Sequence, residues 1–547
     1  MQDALALHRQ GKLREAEKLY ARVLKAAPQN FDALHLCGLC KAQTGQMGEA
    51  YRLIAAALKI NAQAPDAWIN FANVLHALKR DGEALAALDK ALALRPDDAD
   101  ALTKRGNALL ALSRTPEALA CFDAVLARNP RHGEALLGRG TARATGGQAA
   151  DALADFDAVL ALAPGHPGAL YNRGNALSDL GRYAEAIASF DAALKTAPAN
   201  VKAWNNRGRA LQALNRHAEA VECFDRAIAL QKDYADAHFN AALSLLTLGD
   251  YTRGFVEYEW RWTRSGVRDT RRSYRGALWL GEYPLARKTI LLHAEQGLGD
   301  TIQFARYAPL LARAGATVLL EVEPALKDLF AGLAGIASVN ARGESLPAYD
   351  VHCPLGSLPF ALKTQSSSIP AEFPYLHADE ARTAKWRPMI EALPGKRVAL
   401  AWAGNPAHAN DRNRSIDLKL LATLLALEGV SFVSLQRELR DGDADILVRH
   451  PNVKNIGGAL ADMADSAAVL SLCDLLISVD TAVAHLAGAL GRAPWVLLPF
   501  SPDWRWTLQG ETSPWYQRAR LFRQPALGDW ASVVANARDA LSQFVTS

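Results

Sequence analysis

Two short stretches of this 547-residue chain combine residue types that can seat an anion and move a proton. The first runs from Leu475 to Gly491. Its apolar residues Leu475 to Val479 predict a buried strand, and the small residues Ala482 to Ala489 predict a helix entered through Asp480 and Thr481, both N-cap types. Backbone N–H groups near Thr481 and Ala482, with the positive end of the helix dipole, would point at whatever sits above that junction, which is how helix N-termini hold phosphate. His485 falls one turn in, on the Thr481 face, within reach of the same anion. A capped helix packed on a sheet satisfies the pattern equally well. The second stretch is His293-Ala-Glu-Gln-Gly-Leu-Gly-Asp-Thr-Ile-Gln-Phe304, where Gly297 and Gly299 permit a tight turn before a helix beginning near Asp300. It lacks the third glycine of a dinucleotide fingerprint. By spacing Asp300 is first of all a helix cap, and at a crevice lip it can also accept a proton from an attacking hydroxyl.

The elements that must position these residues read as an α/β arrangement. From Lys288, short apolar runs alternate with helical stretches: Thr289 to His293, Thr317 to Val322, a helix near Ala325 to Leu333 and a strand near Asp350 to Cys353. A second set follows at Arg397 to Trp402, Val430 to Leu435, Leu475 to Val479 and Trp495 to Pro499. Two Rossmann-like halves are expected, residues 288–390 and 391–524, with ligands bound in the crevice at the strands' carboxyl ends. A terminal helix, 525–547, is expected to pack back across the first half. The stretch Pro499-Phe-Ser-Pro-Asp-Trp-Arg-Trp506, with Ser513 to Tyr516, reads either as a crevice loop stacking Trp504 or Trp506 on a base or sugar, or as an aromatic seam.

The first half is a repeat. Prolines at 28, 96, 130, 164 and 198 are spaced by 34 residues or twice that. Small residues recur in the same frame at Ala16, Ala50, Ala84, Ala118, Ala152, Ala186 and Ala220, with Gly38, Gly106, Gly140, Gly174 and Gly208 in the first helix of each unit. A large residue follows each alanine by four, as in Tyr20, Ile54, Phe122, Phe156, Phe190 and Phe224. This pattern resembles the tetratricopeptide repeat over residues 1–262, and such repeats stack into a superhelix lined by the first helix of each unit. Asn70, Asn172, Asn206 and Asn240 share one repeat position there, with Asn73, Asn107 and Asn175 on the same face. An Asn amide can bond both sides of a peptide unit, so a ladder of them suits an extended chain; solvated polar positions are the alternative. In the eukaryotic nucleocytoplasmic O-glycosyltransferases, repeat-groove asparagines hold the protein acceptor, and the resemblance implies a similar use here. Residues 263–287, with Arg264, Arg268, Arg271, Arg272 and Arg275, read as a solvated basic connector.

The segment from Lys288 to Gln524 resembles the heptosyltransferase-type glycosyltransferases of the GT-B fold. Gly297-Leu-Gly-Asp300 matches their first-strand motif, whose aspartate is the proposed base, and Asp480, Thr481, Ala482 and His485 match their donor-diphosphate motif. Where those enzymes carry a phosphate-contacting Lys, this chain has Asp411-Arg-Asn-Arg-Ser415, which makes Arg414 the carried-over residue and Arg412 a candidate. Together with Tyr258-Glu-Trp-Arg-Trp262 and Asp503-Trp-Arg-Trp506, the whole chain resembles bacterial repeat-containing glycosyltransferases, some of which modify flagellin. The resemblance implies an inverting enzyme that transfers a sugar from a nucleotide sugar to a Ser or Thr of a protein held by the repeats, flagellin being one such acceptor. It implies neither metal nor cofactor. A repeat scaffold with an inert α/β half, or transfer to a lipid-linked glycan, are the alternatives.

Composition narrows the class further. Lys plus Arg at 61 against Asp plus Glu at 57 gives a net charge of +4, which does not indicate a nucleic-acid or polyanion binder. No run approaches the roughly 18 apolar residues of a membrane span, and the N-terminus lacks a signal peptide's order. Six scattered cysteines do not form a disulfide framework, and Cys37 and Cys40 read as buried packing, so a cytoplasmic protein is expected.

Overall fold

The computed structural model describes residues 1–264, 272–408 and 410–546. Sixteen α-helices run from Gln2–Arg9 to Tyr251–Tyr258, closed by a 3-10 turn at Glu259–Thr263. The glycines and the large residues meet directly. A Cβ placed on Gly106, Gly140 or Gly174 would lie 2.5–2.7 Å from Phe122, Phe156 or Phe190, and one on Gly38 would lie 2.6 Å from Ile54. Each plug therefore fills the space that a missing side chain leaves sixteen positions earlier. Ala16, Ala50, Ala118, Ala152 and Ala186 are fully buried. The second helices end at Ala26, Leu94, Arg128, Leu162 and Thr196, two residues short of each proline, because the residue before a proline disfavours helical backbone.

The chain forms two compact units, Met1–Asn206 and Arg207–Ser547. The repeat pattern runs to Tyr258, yet the break between compact units falls inside it. Within the second unit Tyr251, Phe255 and Tyr258 share one apolar core with Trp279, Ile290, Leu292 and Phe304, so the last repeat helices fold as part of the α/β region.

Two parallel sheets make up the rest of that unit. The first contains β1 (Ala277–Leu278), β2 (Thr289–His293), β3 (Thr317–Val322), β4 (Ile336–Ala341) and β5 (Val351–Pro354), in the order β1-β5-β2-β3-β4. The second contains β6 (Lys396–Ala401), β7 (Val430–Ser434), β8 (Val453–Asn455), β9 (Leu475–Val479), β10 (Trp495–Leu498) and β11 (Arg520–Arg523), in the order β11-β10-β9-β6-β7-β8. The fold is thus an all-α repeat array followed by an α/β region. His293 of β2 lies level with Glu321 of β3 and Pro354 of β5, and Ser478 of β9 lies level with Ala401 of β6 and Val496 of β10. The loops after β2 and β9 therefore leave from the carboxyl edge of each sheet, where such sheets bind ligands.

Two expectations need correction. The terminal helix, Trp530–Thr546, does not cross back over the first half. Its stripe of Trp530, Val533, Val534, Ala537, Ala540 and Leu541 enters the same core as Val398, Leu400, Phe432 and Trp495, and so covers the second sheet. The connector 263–287 is not simply solvated. Arg268 and Arg271 lie outside the described residues, but Arg264 bonds Asp236 at 2.8 Å, Tyr274 donates to Glu321 at 2.6 Å and Ala277–Leu278 supplies the edge strand of the first sheet. Among the described residues no helix is long and apolar enough to cross a membrane.

Candidate functional site

After β2 the chain turns through Glu295, Gln296 and Gly297 into the helix Leu298–Phe304. Gly297 is the N-cap with an ordinary φ of −67°, so the turn does not demand glycine there. Asp300 is the third residue of the helix and not its cap. Its Oδ2 accepts the Gly297 N–H at 3.1 Å, closing the turn from inside. Its Oδ1 accepts from the Arg505 guanidinium. Asp300 keeps 26% of its side chain exposed and lines a small cleft with Glu295, Gln296, Thr301, Phe304, Leu355 and Gly356.

On the second sheet β9 is wholly buried and leads through Asp480 to Thr481, the N-cap of the helix Ala482–Ala489. The Thr481 hydroxyl bonds Ser478 Oγ at 3.1 Å and no side chain caps the first turn; the Ala484 N–H bonds the Thr481 carbonyl at 3.0 Å, so the N–H groups of Ala482 and Val483 are the ones an anion would meet. Thr481 and Ala482 are half-buried at that mouth. His485 is buried at 6% exposure, with Nδ1 bonded to the Tyr516 hydroxyl at 3.0 Å and Nε2 3.7 Å from Asp480 Oδ1. Burial, helped by Arg505, Arg306 and Arg414, holds His485 well below the usual histidine range, so it faces the site as a neutral ring. Burial and the charge of Asp503 push the Asp480 carboxyl up to about 6, against the pull of Arg414 and Arg505.

The two helix heads meet. A Cβ on Gly299 would lie 3.4 Å from Ala482 Cα and 2.7 Å from His485 Cδ2, so this glycine is required by close approach. Arg414, at the end of the short helix Asp411–Arg414, donates to the backbone carbonyl of Asp480 at 3.1 Å and turns its Nε toward Asp411. Arg412 is exposed on the same turn. Asp300, Gly299, Thr481, Ala482, Asp480 and Arg414 thus converge on one crevice. It brings together a helix N-terminus, the Arg414 guanidinium at that helix and a carboxylate held by Arg505, a combination suited to holding a phosphate while a proton is removed nearby.

Sequence reasoning missed the group that joins the halves. Arg505 was visible within Asp503-Trp-Arg-Trp506, but the tryptophans drew the reading. Those tryptophans form a seam. Trp504, Trp506 and Trp515 are at most 2% exposed, Trp504 packs edge-on to Trp515 and Phe255, and Trp506 lies over His485 and Tyr516. The other missed residues are Glu295 and Arg261, whose network runs from Tyr258-Glu-Trp-Arg-Trp262. Arg261 donates to Glu259 at 2.6 Å, Glu295 at 2.8 Å and Ser357 at 2.7 Å.

Asn70, Asn172, Asn175, Asn206 and Asn240 are half-buried, and Asn73 and Asn107 are exposed. Asn70 bonds His35 at 3.1 Å, Asn172 donates to Thr141 at 3.4 Å, and Asn206 donates to Asn175 at 2.8 Å and Tyr171 at 3.2 Å. Asn240 belongs to the second unit, where its carbonyl accepts from Gln212 at 2.9 Å. Cys37 and Cys40 are buried and unbridged, and among the described residues no group of three or more His, Cys, Asp or Glu side chains could hold a metal ion.

Comparison with known proteins matches residues 103–167, 171–231 and 207–264 to a tetratricopeptide repeat family, 72–113 to a second such family and 9–91 to anaphase-promoting complex, cyclosome, subunit 3. Protein FlbA of Caulobacter vibrioides (strain ATCC 19089 / CIP 103742 / CB 15) is 28% identical over 341 residues, 58% of this chain and 56% of that protein. The chain thus spans about half the length of this curated relative. Solved structures with similarity include YrrB, described as a TPR protein with an unusual peptide-binding site, at 28% identity and a TM-score of 0.29, covering 34% of this chain and 95% of that one. TTC0263 of Thermus thermophilus, a thermophilic TPR protein, is 26% identical with a TM-score of 0.30 and coverage of 34% and 99%. The 34-residue period, the helix pairs and the family matches agree that the N-terminal helices are tetratricopeptide repeats.

Proposed function

We propose that the α/β region is an inverting, metal-independent glycosyltransferase of GT-B type that moves a sugar from a nucleotide sugar to a Ser or Thr of a protein recruited by the repeats, in the cytoplasm. The observation that carries this reading is the position of Asp300 beside the uncapped Thr481 helix. The helix N-terminus and Arg414 hold the leaving phosphate, and Asp300 takes the hydroxyl proton as the new bond forms on the face opposite the phosphate. One displacement of this kind inverts the anomeric carbon without a covalent intermediate. The half-exposed asparagines of the repeats give the acceptor chain its amide contacts, and flagellin is the acceptor to try first.

The test has two arms. Thermal stabilisation of the full chain by a panel of nucleotides and nucleotide sugars reads donor binding, since a ligand of the folded state raises stability by mass action. Mass spectrometry of flagellin incubated with the chain and each stabilising nucleotide sugar reads transfer. Binding with transfer supports the enzyme. A chain that no nucleotide stabilises is a scaffold, and transfer to a lipid-linked glycan but not to protein would move the acceptor assignment away from the repeats.

A further inference from the structure

The cleft beside Asp300 contains a second carboxyl. Glu295 sits two residues beyond the end of β2 with its side chain 8% exposed. Its Oε1 accepts from Arg261 at 2.8 and 3.2 Å, while its Oε2 is buried with no hydrogen-bond partner among the described residues. Such an oxygen is rare in a folded protein and gains from any hydroxyl that reaches it. The residue is fixed on both sides. Arg261 grips it from the end of the repeats, and the loop at Gly356 presses so closely that any Cβ there would collide with Oε1.

Asp300 and Glu295 line the same cleft but differ in what they already hold. Both oxygens of Asp300 have a donor, the Gly297 N–H and the Arg505 guanidinium, whereas Oε2 of Glu295 has none among the described residues. We propose that Glu295 is the residue on which the acceptor's proton comes to rest, a positioning and proton-holding partner of Asp300 that rests on the glycosyltransferase reading above. The acceptor O–H bond breaks as its oxygen bonds the anomeric carbon. The bond from that carbon to the phosphate oxygen breaks, and its electron pair leaves with the nucleotide. The proton passes by way of Asp300 to Glu295 Oε2, and solvent takes it when the products depart.

The charges around Glu295 suit that task. Burial pushes its carboxyl up to about 7, aided by the negative charges of Glu259 and Asp300 and opposed by Arg261, whose charge Glu259 shares at 2.6 Å. Tyr258 and Cys353 also face it, and burial raises both, keeping them neutral. A proton holder works best when it titrates near the working pH.

The test follows nucleotide release from UDP-, GDP-, ADP- and CMP-linked sugars by the full chain with purified flagellin as acceptor, between pH 5.5 and 9. Wild-type kcat is expected to rise through about pH 7 as Glu295 loses its proton. In Glu295→Gln, kcat at pH 8 is expected to fall about ten-fold or more, with the neutral limb gone and donor KM within about two-fold. A Glu295→Asp variant guards against misfolding, since it keeps a carboxyl against Arg261; its limb is expected to move while its melting temperature stays. A neutral limb unmoved in every variant that folds overturns the inference, as does a joint loss of kcat, donor binding and stability, which marks a structural role. A wild type that releases nothing from any donor overturns the glycosyltransferase reading, and the inference falls with it.

Discussion

Arg505, on the loop between β10 and β11, donates a guanidinium hydrogen bond to Asp300 at the head of the first sheet's helix. The same guanidinium donates to Gln303 and, at 2.9 Å, to Asp503, and it lies over Trp504 at 4.5 Å. One nearly buried cation from the second sheet therefore clamps the carboxylate that the first sheet presents.

Removing that cation leaves two carboxylates without their partner. Breaking a buried ion pair costs about 3 kcal/mol or more, and because Asp300 and Asp503 are 26% and 31% exposed, they can rehydrate and hold the cost to the lower end. Arg505→Ala is expected to lower unfolding free energy by about 3 kcal/mol in denaturant titration. A loss under about 1 kcal/mol would show that the clamp does not hold the halves.

Arg414 tests the phosphate seat. Its Nη1 reaches the Asp480 carbonyl, at the mouth of the Thr481 helix, and a charge-assisted bond from there to a phosphate is worth about 1.5–3 kcal/mol. Arg414→Ala is expected to weaken nucleotide affinity by that amount in calorimetry, and Gly299→Ala is expected to weaken it too, since its methyl would strike His485. Binding that survives both changes would place the donor elsewhere. Excess chelator is expected to leave the affinity unchanged.

Much of this arrangement was legible in the sequence, and the exceptions have physical reasons. The repeat announces itself because Gly106 and Phe122 must be small and large together, and the same constraint returns every 34 residues. β2, β3 and β9 are largely apolar runs, as strands covered on both faces must be, whereas β7 places Ser431 and Ser434 among its apolar residues. β1, β4, β8 and β11, the four edge strands, give weak signals: β1 and β8 span only two and three residues, β4 mixes Ser338 and Asn340 into its run, and arginines bracket β11. Arg505 escaped because its value lies in residues about two hundred positions away, which no local spacing encodes. The terminal helix has a clear apolar stripe, but a stripe does not say which of two sheets it will cover.

Asp300→Asn separates the turn-closing role from the base. The amide oxygen can still accept the Gly297 N–H, so the turn should survive, whereas the basicity is lost. Turnover is expected to fall at least about 10²-fold with nucleotide affinity nearly unchanged, while the melting temperature falls, because the NH₂ group left facing Arg505 is a donor and, of the two carboxylates paired with that cation, only Asp503 remains. Near-normal turnover would reduce Asp300 to a turn-closing residue.

His217 gives the protein an acid sensitivity unrelated to the crevice. It is 5% exposed, its Nδ1 bonds Ser244 at 3.2 Å, and its Nε2 has no partner among the described residues, so burial lowers it to about 4. Between that value and the ordinary histidine value the unfolded chain binds more protons than the folded one, so stability falls as pH falls through this window. The loss attributable to His217 is about 3 kcal/mol at 1.36 kcal/mol per unit. His217→Gln is expected to flatten the stability profile between about pH 6.5 and 4; a slope identical to wild type would mean that the histidine is already charged.

The division of the chain inside the repeats makes the last prediction. A fragment of residues 263–547 begins where the repeat pattern ends, but it discards Tyr251, Phe255 and Tyr258, each at most 3% exposed in the core shared with Ile290, Leu292 and Phe304. It also discards Arg261, the partner of Glu295 and Ser357. Loss of a buried aromatic side chain costs about 3–5 kcal/mol, so three of them remove an amount comparable to the whole stability of about 5–15 kcal/mol of an ordinary domain. That fragment is expected to be unfolded or aggregated. A fragment of residues 201–547 keeps the helix Val201–Ala213 and the rest of the second unit, and is expected to melt cooperatively and bind nucleotide with the affinity of the full chain. It lacks Asn70 and Asn172, so modification of a protein acceptor should fall while donor binding stays. Cooperative folding of 263–547 would contradict the shared core, and full acceptor modification by 201–547 would remove the first six repeats from acceptor recognition.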